Sequence, residues 1–151
     1  MTNPVPERFK AGVPYLNVHD AKAAIGFYRD AFGAQVGIEI PRHDGKVAHA
    51  EFKIGDALFM LRDEYPEYRF HSPRTIGGTP VNLLVYVPDV DTLAERAAAA
   101  GARVVRPVEM QYHGDRQVEL EDPFGHSWFF TTRVADMTPE ELKATAAAVN
   151  L

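Results

Sequence analysis

The sequence predicts an α+β fold of two βαβββ modules whose strands form a cupped mixed sheet. Three observations carry that prediction. The chain nearly repeats itself at a period of about 70 residues, each copy carries a capped amphipathic helix after its first strand, and each helix is followed by segments alternating at strand period.

Residues 13–18 read as the first strand, and Asp20 then supplies an N-cap for a helix that Gly33 stops. The second copy repeats the order, with a strand at 81–87, a cap at Asp89 and a stop at Gly101. The three strands after the first helix fall at 35–41, 46–54 and 57–62, and Asp44-Gly45 marks the hairpin between the first two of them. Their counterparts are 102–108, 116–122 and 127–133. The modules therefore span 12–62 and 81–133 of one domain covering 1–151. Residues 63–80, punctuated by Tyr65-Pro66, Ser72-Pro73 and Gly77-Gly78-Thr79-Pro80, link them and are long enough to form a lid or an edge. Thr138-Pro139-Glu140-Glu141 places a cap, then proline, then acids, which predicts a terminal helix over 139–149.

Composition narrows the function. With 151 residues, 46% of them hydrophobic and 25% charged, the chain can bury a core without metal or cross-link. It has no cysteine, which removes thiolate nucleophiles and cysteine-ligated metal and suits a reducing compartment. A net charge of -5 without a basic run excludes a nucleic-acid footprint. The polar start of the chain has no secretory signal and no stretch approaches the ~18 apolar residues of a membrane span, so a cytoplasmic protein is expected.

Strand alternation then separates a core face from a chemical one. Ala48, Ala50, Phe52 and Ile54 face the helix, while His49, Glu51 and Lys53 face away; Val118 and Leu120 are divided in the same manner from Gln117, Glu119 and Glu121. In the first strands of the modules, Tyr15 and Asn17, and likewise Asn82 and Tyr86, fall on the side opposite the helices. Phe59 and Phe129 are expected to complete a shared aromatic cup, with Arg116 near its mouth to fix a ligand carboxylate or to form an ion pair with Asp115 or Glu51. Aromatic walls with carboxylates at Glu51, Glu119 and Glu121 suit a flat or cationic organic ligand. His126, by contrast, reads as part of a structural turn.

Three stretches resemble the vicinal oxygen chelate superfamily of glyoxalases, bleomycin resistance proteins and extradiol dioxygenases: Val13 to Asp20, Ile25 to Gly33, and Asp122-Pro123-Phe124-Gly125-His126-Ser127-Trp128. His49-Ala50-Glu51, Ile54-Gly55-Asp56 and the Thr138 tail are similar to its PhnB-like branch. The resemblance implies the glyoxalase/bleomycin resistance/dihydroxybiphenyl dioxygenase fold and a homodimer. In the metal enzymes of this superfamily, His, Gln or Glu on the first and fourth strands hold a divalent ion. The matching positions here are Val13, Phe59, Asn82 and Phe129, of which three have no donor atom.

The resulting expectation is a protein without metal or cofactor that binds a small aromatic or cationic molecule, by analogy with resistance proteins that sequester a drug in the cleft of a dimer. The alternative is a metal-dependent lyase, isomerase, thiol transferase or dioxygenase in which His49 and Glu51 act with Glu119 or Glu121.

Overall fold

A computed structural model describes residues 2–151 and contains both modules. In the first, β1 (Tyr15–Val18) leads into α1 (Ala21–Phe32) and then β2 (Gln35–Pro41), β3 (Val47–Ile54) and β4 (Ala57–Asp63). In the second, β5 (Asn82–Tyr86), α3 (Val90–Ala100), β6 (Arg103–Met110), β7 (Asp115–Glu121) and β8 (Ser127–Arg133) repeat the order. The strands form two four-stranded sheets, ordered β1-β4-β3-β2 and β5-β8-β7-β6, each with one parallel pair.

The caps form as their residue types dictate. The Asp20 carboxylate accepts the amide of Ala23, that of Asp89 accepts the amide of Thr92, and Gly33 and Gly101 end their helices at φ 66° and 116°. The connection between modules holds a 3-10 turn at Pro66–Tyr68 and a one-turn helix, α2 (Pro73–Ile76), capped by Ser72. The last helix, α4 (Pro139–Ala148), has a capping box between Thr138 and Glu141.

The way the modules meet decides where a site can lie. Helices α1 and α3 pack against each other, and the apolar faces of both sheets close over them into one core. Phe32 of α1 meets Trp128 and Phe130 of β8 at ring-centroid distances of 5.0 and 4.6 Å, and Phe59 of β4 meets Trp128 at 5.2 Å. A buried carboxylate joins the modules: Asp122 accepts from the Tyr28 hydroxyl at 2.6 Å and from the Trp128 indole at 2.9 Å. With their apolar faces shared inside, the two sheets turn their polar faces outward, and where β5 passes the end of β4 the outward Leu58, Asn82 and Leu84 border one cavity of about 470 Å³ with Arg8 and Val13. Tyr15, Tyr86 and Phe129, expected around one shared cup, do not border that cavity. Alternation predicts that both faces exist; it carries no information on their mutual direction, because either arrangement buries the same apolar residues.

Candidate functional site

The outward face of the first sheet centres on Tyr15. On β1, Tyr15 and Asn17 stand beside Met60 and Arg62 of β4, and Glu51 of β3 pairs with Met60 from the other side. The Tyr15 hydroxyl lies 2.5 Å from Nδ1 of His49, and Nε2 of His49 lies 3.4 Å from Oε1 of Glu51. This order selects a tautomer. A proton on Nε2 points at the carboxylate, leaving Nδ1 free to accept from the phenol.

Glu51 is 7% exposed and takes two hydrogen bonds from the Arg8 guanidinium, at 2.7 and 3.2 Å. Those bonds hold its carboxyl below the usual range, with the His49 bond adding to the effect against the cost of burial. The Tyr15 phenol is shifted upward, chiefly by burial, while Arg62 pulls it down and Glu51 pushes it up. Arg62 is held by stacking: its guanidinium carbon sits 4.0 Å from the ring centre of Tyr15 and 3.4 Å from that of Phe70, and its Nε donates to Oδ1 of Asn17. Tyr15 and Asn17 also line a cavity of about 270 Å³ between β1 and β5, with Leu83, His71 and His126 on its other walls.

The outward face of the second sheet carries Asn82, Leu84 and Tyr86 on β5, Phe129 and Thr131 on β8, and Gln117, Glu119 and Glu121 on β7. Tyr86 donates to Asp115 at 2.5 Å, and Arg133 donates to the same carboxylate at 3.1 Å. Burial works against the ionised form of Asp115, yet the bonds from Tyr86 and Arg133 outweigh it and lower its pKa. Glu119 pairs with Arg106 at 2.7 Å and Glu121 with Arg103 at 2.8 Å.

Of the residues expected in a cup, Tyr15, Asn17, His49 and Glu51 gather on one outward face, and Asn82, Tyr86, Glu119, Glu121 and Phe129 lie on the other. Two placements are corrected. Phe59 pairs with Phe52 across β3 and β4, stacks on it at 5.1 Å and is 4% exposed, so it belongs to the core and leaves the outward positions of β4 to Leu58, Met60 and Arg62. Arg116 shares the parity of Val118 and Leu120, which turns it toward α3, where it forms a two-bond ion pair with Asp91 at 2.7 Å. Sequence reasoning missed Arg62 because both parities of β4 are largely apolar. It missed Arg8 because nothing in the repeat reaches that far toward the start of the chain.

The side chains do not fit the metal site that the fold's enzymes imply. Val13 is hydrocarbon, Phe59 is in the core, Phe129 offers a ring, and the Asn82 carbonyl accepts from Ser127. Among the described residues, no group of three or more His, Asp or Glu gathers as ligands would. Nor is any described helix long and apolar enough to cross a membrane.

The fold and the duplicated polar faces define a paired-module protein of the vicinal oxygen chelate type. The chain belongs to the Glyoxalase/Bleomycin resistance protein/Dioxygenase superfamily, whose sequence model matches residues 10–130. It is 39% identical over 138 residues to the uncharacterized protein Rv0887c of Mycobacterium tuberculosis strain H37Rv, covering 89% of this chain and 81% of that one. TioX from Micromonospora sp. ML1 superposes with a TM-score of 0.66 at 29% identity, over 85% of this chain and all 100% of that one. The fosfomycin resistance protein FosX from Listeria monocytogenes shares the fold, with a TM-score of 0.61 at 17% identity over 87% and 96% of the two chains.

Proposed function

We propose that this protein binds a small planar aromatic molecule without a metal, as a homodimer in which the first-module face of one copy closes on the second-module face of the other. It would act as a PhnB-like or bleomycin-resistance-like binder, protecting the cell by sequestering the compound. The observation that carries this reading is the exposure of the two outward faces, each bearing aromatic side chains. Tyr15 is 37% exposed, and Tyr86 and Leu84 are each 52% exposed. Exposed aromatic and aliphatic groups on a sheet face mark a surface that something covers.

The nature of the ligand follows from the charges. Glu51, Glu119 and Glu121 already have arginine partners, so stacking on Tyr15, Tyr86 and Phe129 supplies more of the affinity than attraction of a cation. The test has two parts: sedimentation should give the mass of two chains, and a thermal-shift screen of planar aromatic compounds should raise the melting temperature. Phe129→Ala is expected to abolish that shift while leaving the ligand-free melting temperature within a few degrees. A monomer at micromolar concentration, or a Phe129→Ala protein that responds like the parent, refutes the reading.

A further inference from the structure

We infer that Tyr15, His49 and Glu51 form a proton relay that makes the Tyr15 hydroxyl a metal-free acid–base catalyst for small carboxylates with an acidic C–H bond beside a carbonyl. The inference rests on the same outward face as the proposed binding site and adds chemistry to it.

Three geometric facts point to the relay. The phenol, the imidazole and the carboxylate form a chain of contacts, with 2.5 Å between the first two and 3.4 Å between the last two. The carboxylate is itself fixed by two bonds from Arg8, as an orienting group must be if it is to stabilise an imidazolium. The head of the relay is open, since Tyr15 is 37% exposed and lines the cavity between β1 and β5. A relay serving only the fold would not need an accessible end.

Arg62 names the substrate class. Its guanidinium is wedged between the Tyr15 and Phe70 rings, and among the described residues no carboxylate lies within 4.0 Å of it. A fixed cation stacked on the proton-transfer tyrosine suits a substrate carrying its own carboxylate, such as a 2-oxo acid.

The step balances without any co-reactant. The carbon–hydrogen bond beside the carbonyl breaks, and its electron pair becomes the carbon–carbon double bond of the enolate. That proton passes to the Tyr15 oxygen as the tyrosine's own proton moves to Nδ1 of His49. The resulting imidazolium is offset by Glu51. Reversal after the Tyr15 hydroxyl has exchanged its proton with solvent returns a solvent proton to the same carbon, so the net outcome is isotope exchange. In this scheme Tyr15 touches the substrate, and His49 and Glu51 are positioning residues.

Pyruvate in heavy water is the probe, with loss of its methyl proton signal followed by NMR. The whole protein should accelerate the exchange over matched buffer by about a hundredfold, within the usual range for a single acid–base group. Tyr15→Phe should return the rate to that of buffer while lowering the melting temperature by no more than a few degrees. His49→Gln should lower the rate constant at saturating pyruvate, whereas Arg62→Gln should mainly raise the pyruvate concentration needed. Nitrogen-15 shifts of His49 should show a protonated Nε2 and an accepting Nδ1. A Tyr15→Phe protein as active as the parent, or a parent no faster than buffer, overturns the relay. If two-chain mass and aromatic thermal shifts persist while exchange stays at the buffer rate, the binding reading stands and the relay falls. Exchange without any aromatic thermal shift has the opposite meaning: the relay stands and aromatic binding falls.

Discussion

Asp122→Asn removes one charge and one acceptor from the joint between the modules, and the structure shows what that change costs. Oδ1 of Asp122 accepts the amides of Phe124 and His126 at 2.9 and 3.0 Å, and Oδ2 accepts from Tyr28 and Trp128. The residue is 3% exposed, so water has little access to the four donors. An asparagine amide has one oxygen for two sites. With the oxygen kept on the backbone amides, the new NH2 faces the hydroxyl of Tyr28, which can rotate to accept, and the indole N–H of Trp128, which cannot. One buried donor is then orphaned at about 1–3 kcal/mol, and two bonds to a charged acceptor become neutral ones, for a total of roughly 2–4 kcal/mol.

Trp128 is the only tryptophan in the chain, so its fluorescence in a urea titration reads this joint directly. The midpoint should fall by about 1–2 M with an unchanged slope. Tyr28→Phe leaves Asp122 three donors and should cost only about 1 kcal/mol. A loss below about 0.5 kcal/mol for the asparagine variant, or equal losses for both, would refute the claim that this carboxylate is saturated with donors.

Two further outcomes follow from local geometry. Gly114 sits at φ 86°, and a β-carbon there would lie 2.7 Å from the Ala135 carbonyl oxygen, so Gly114→Ala should destabilise by about 2 kcal/mol or more in the same titration. Stability should also decline in acid. Glu51 and Asp115 have pKa values lowered by folding, so the stability they contribute is present above their unfolded values and is lost as pH falls through the folded ones. The urea midpoint should be level near neutrality and drop below about pH 4, less steeply in Arg8→Gln; a midpoint level down to about pH 3 counts against these pairings.

Local signals in the sequence are legible wherever a residue and its consequence lie within a turn of each other. Asp20 and Asp89 cap, Gly33 and Gly101 stop, and Thr138 opens its helix because each interaction spans only a few residues. Alternation also places Tyr15, His49, Glu51 and Phe129 outward. It fails at Phe59 because Ala57 to Leu61 is apolar at every position, and only the pairing with β3 settles which parity is buried. Arg116 is legible in principle, since it shares its parity with Val118, but the loop-to-strand boundary hides that. The contact between Tyr15 and His49 crosses 34 residues and depends on the register of three strands, which no single-sequence pattern encodes.

The placement of Tyr15 and Phe129 on different sheets of one chain gives a way to test the shared cup that does not need the ligand's full identity. In a two-fold dimer each cup takes Tyr15 from one copy and Phe129 from the other. Tyr15→Ala and Phe129→Ala homodimers each lack one wall in both cups and should fail to bind an aromatic compound that shifts the parent. In a mixed dimer both substitutions fall in the same cup, and the other cup is wholly parental. Unfolding and refolding the two variants together at equal amounts should therefore restore about one quarter of the parental sites, half the dimers being mixed and each holding one intact cup. A site contained within one chain predicts no recovery, because every chain carries a substitution. Titration of the co-refolded sample against the separately refolded variants decides between the two arrangements, and zero recovered sites would place the ligand within a single copy.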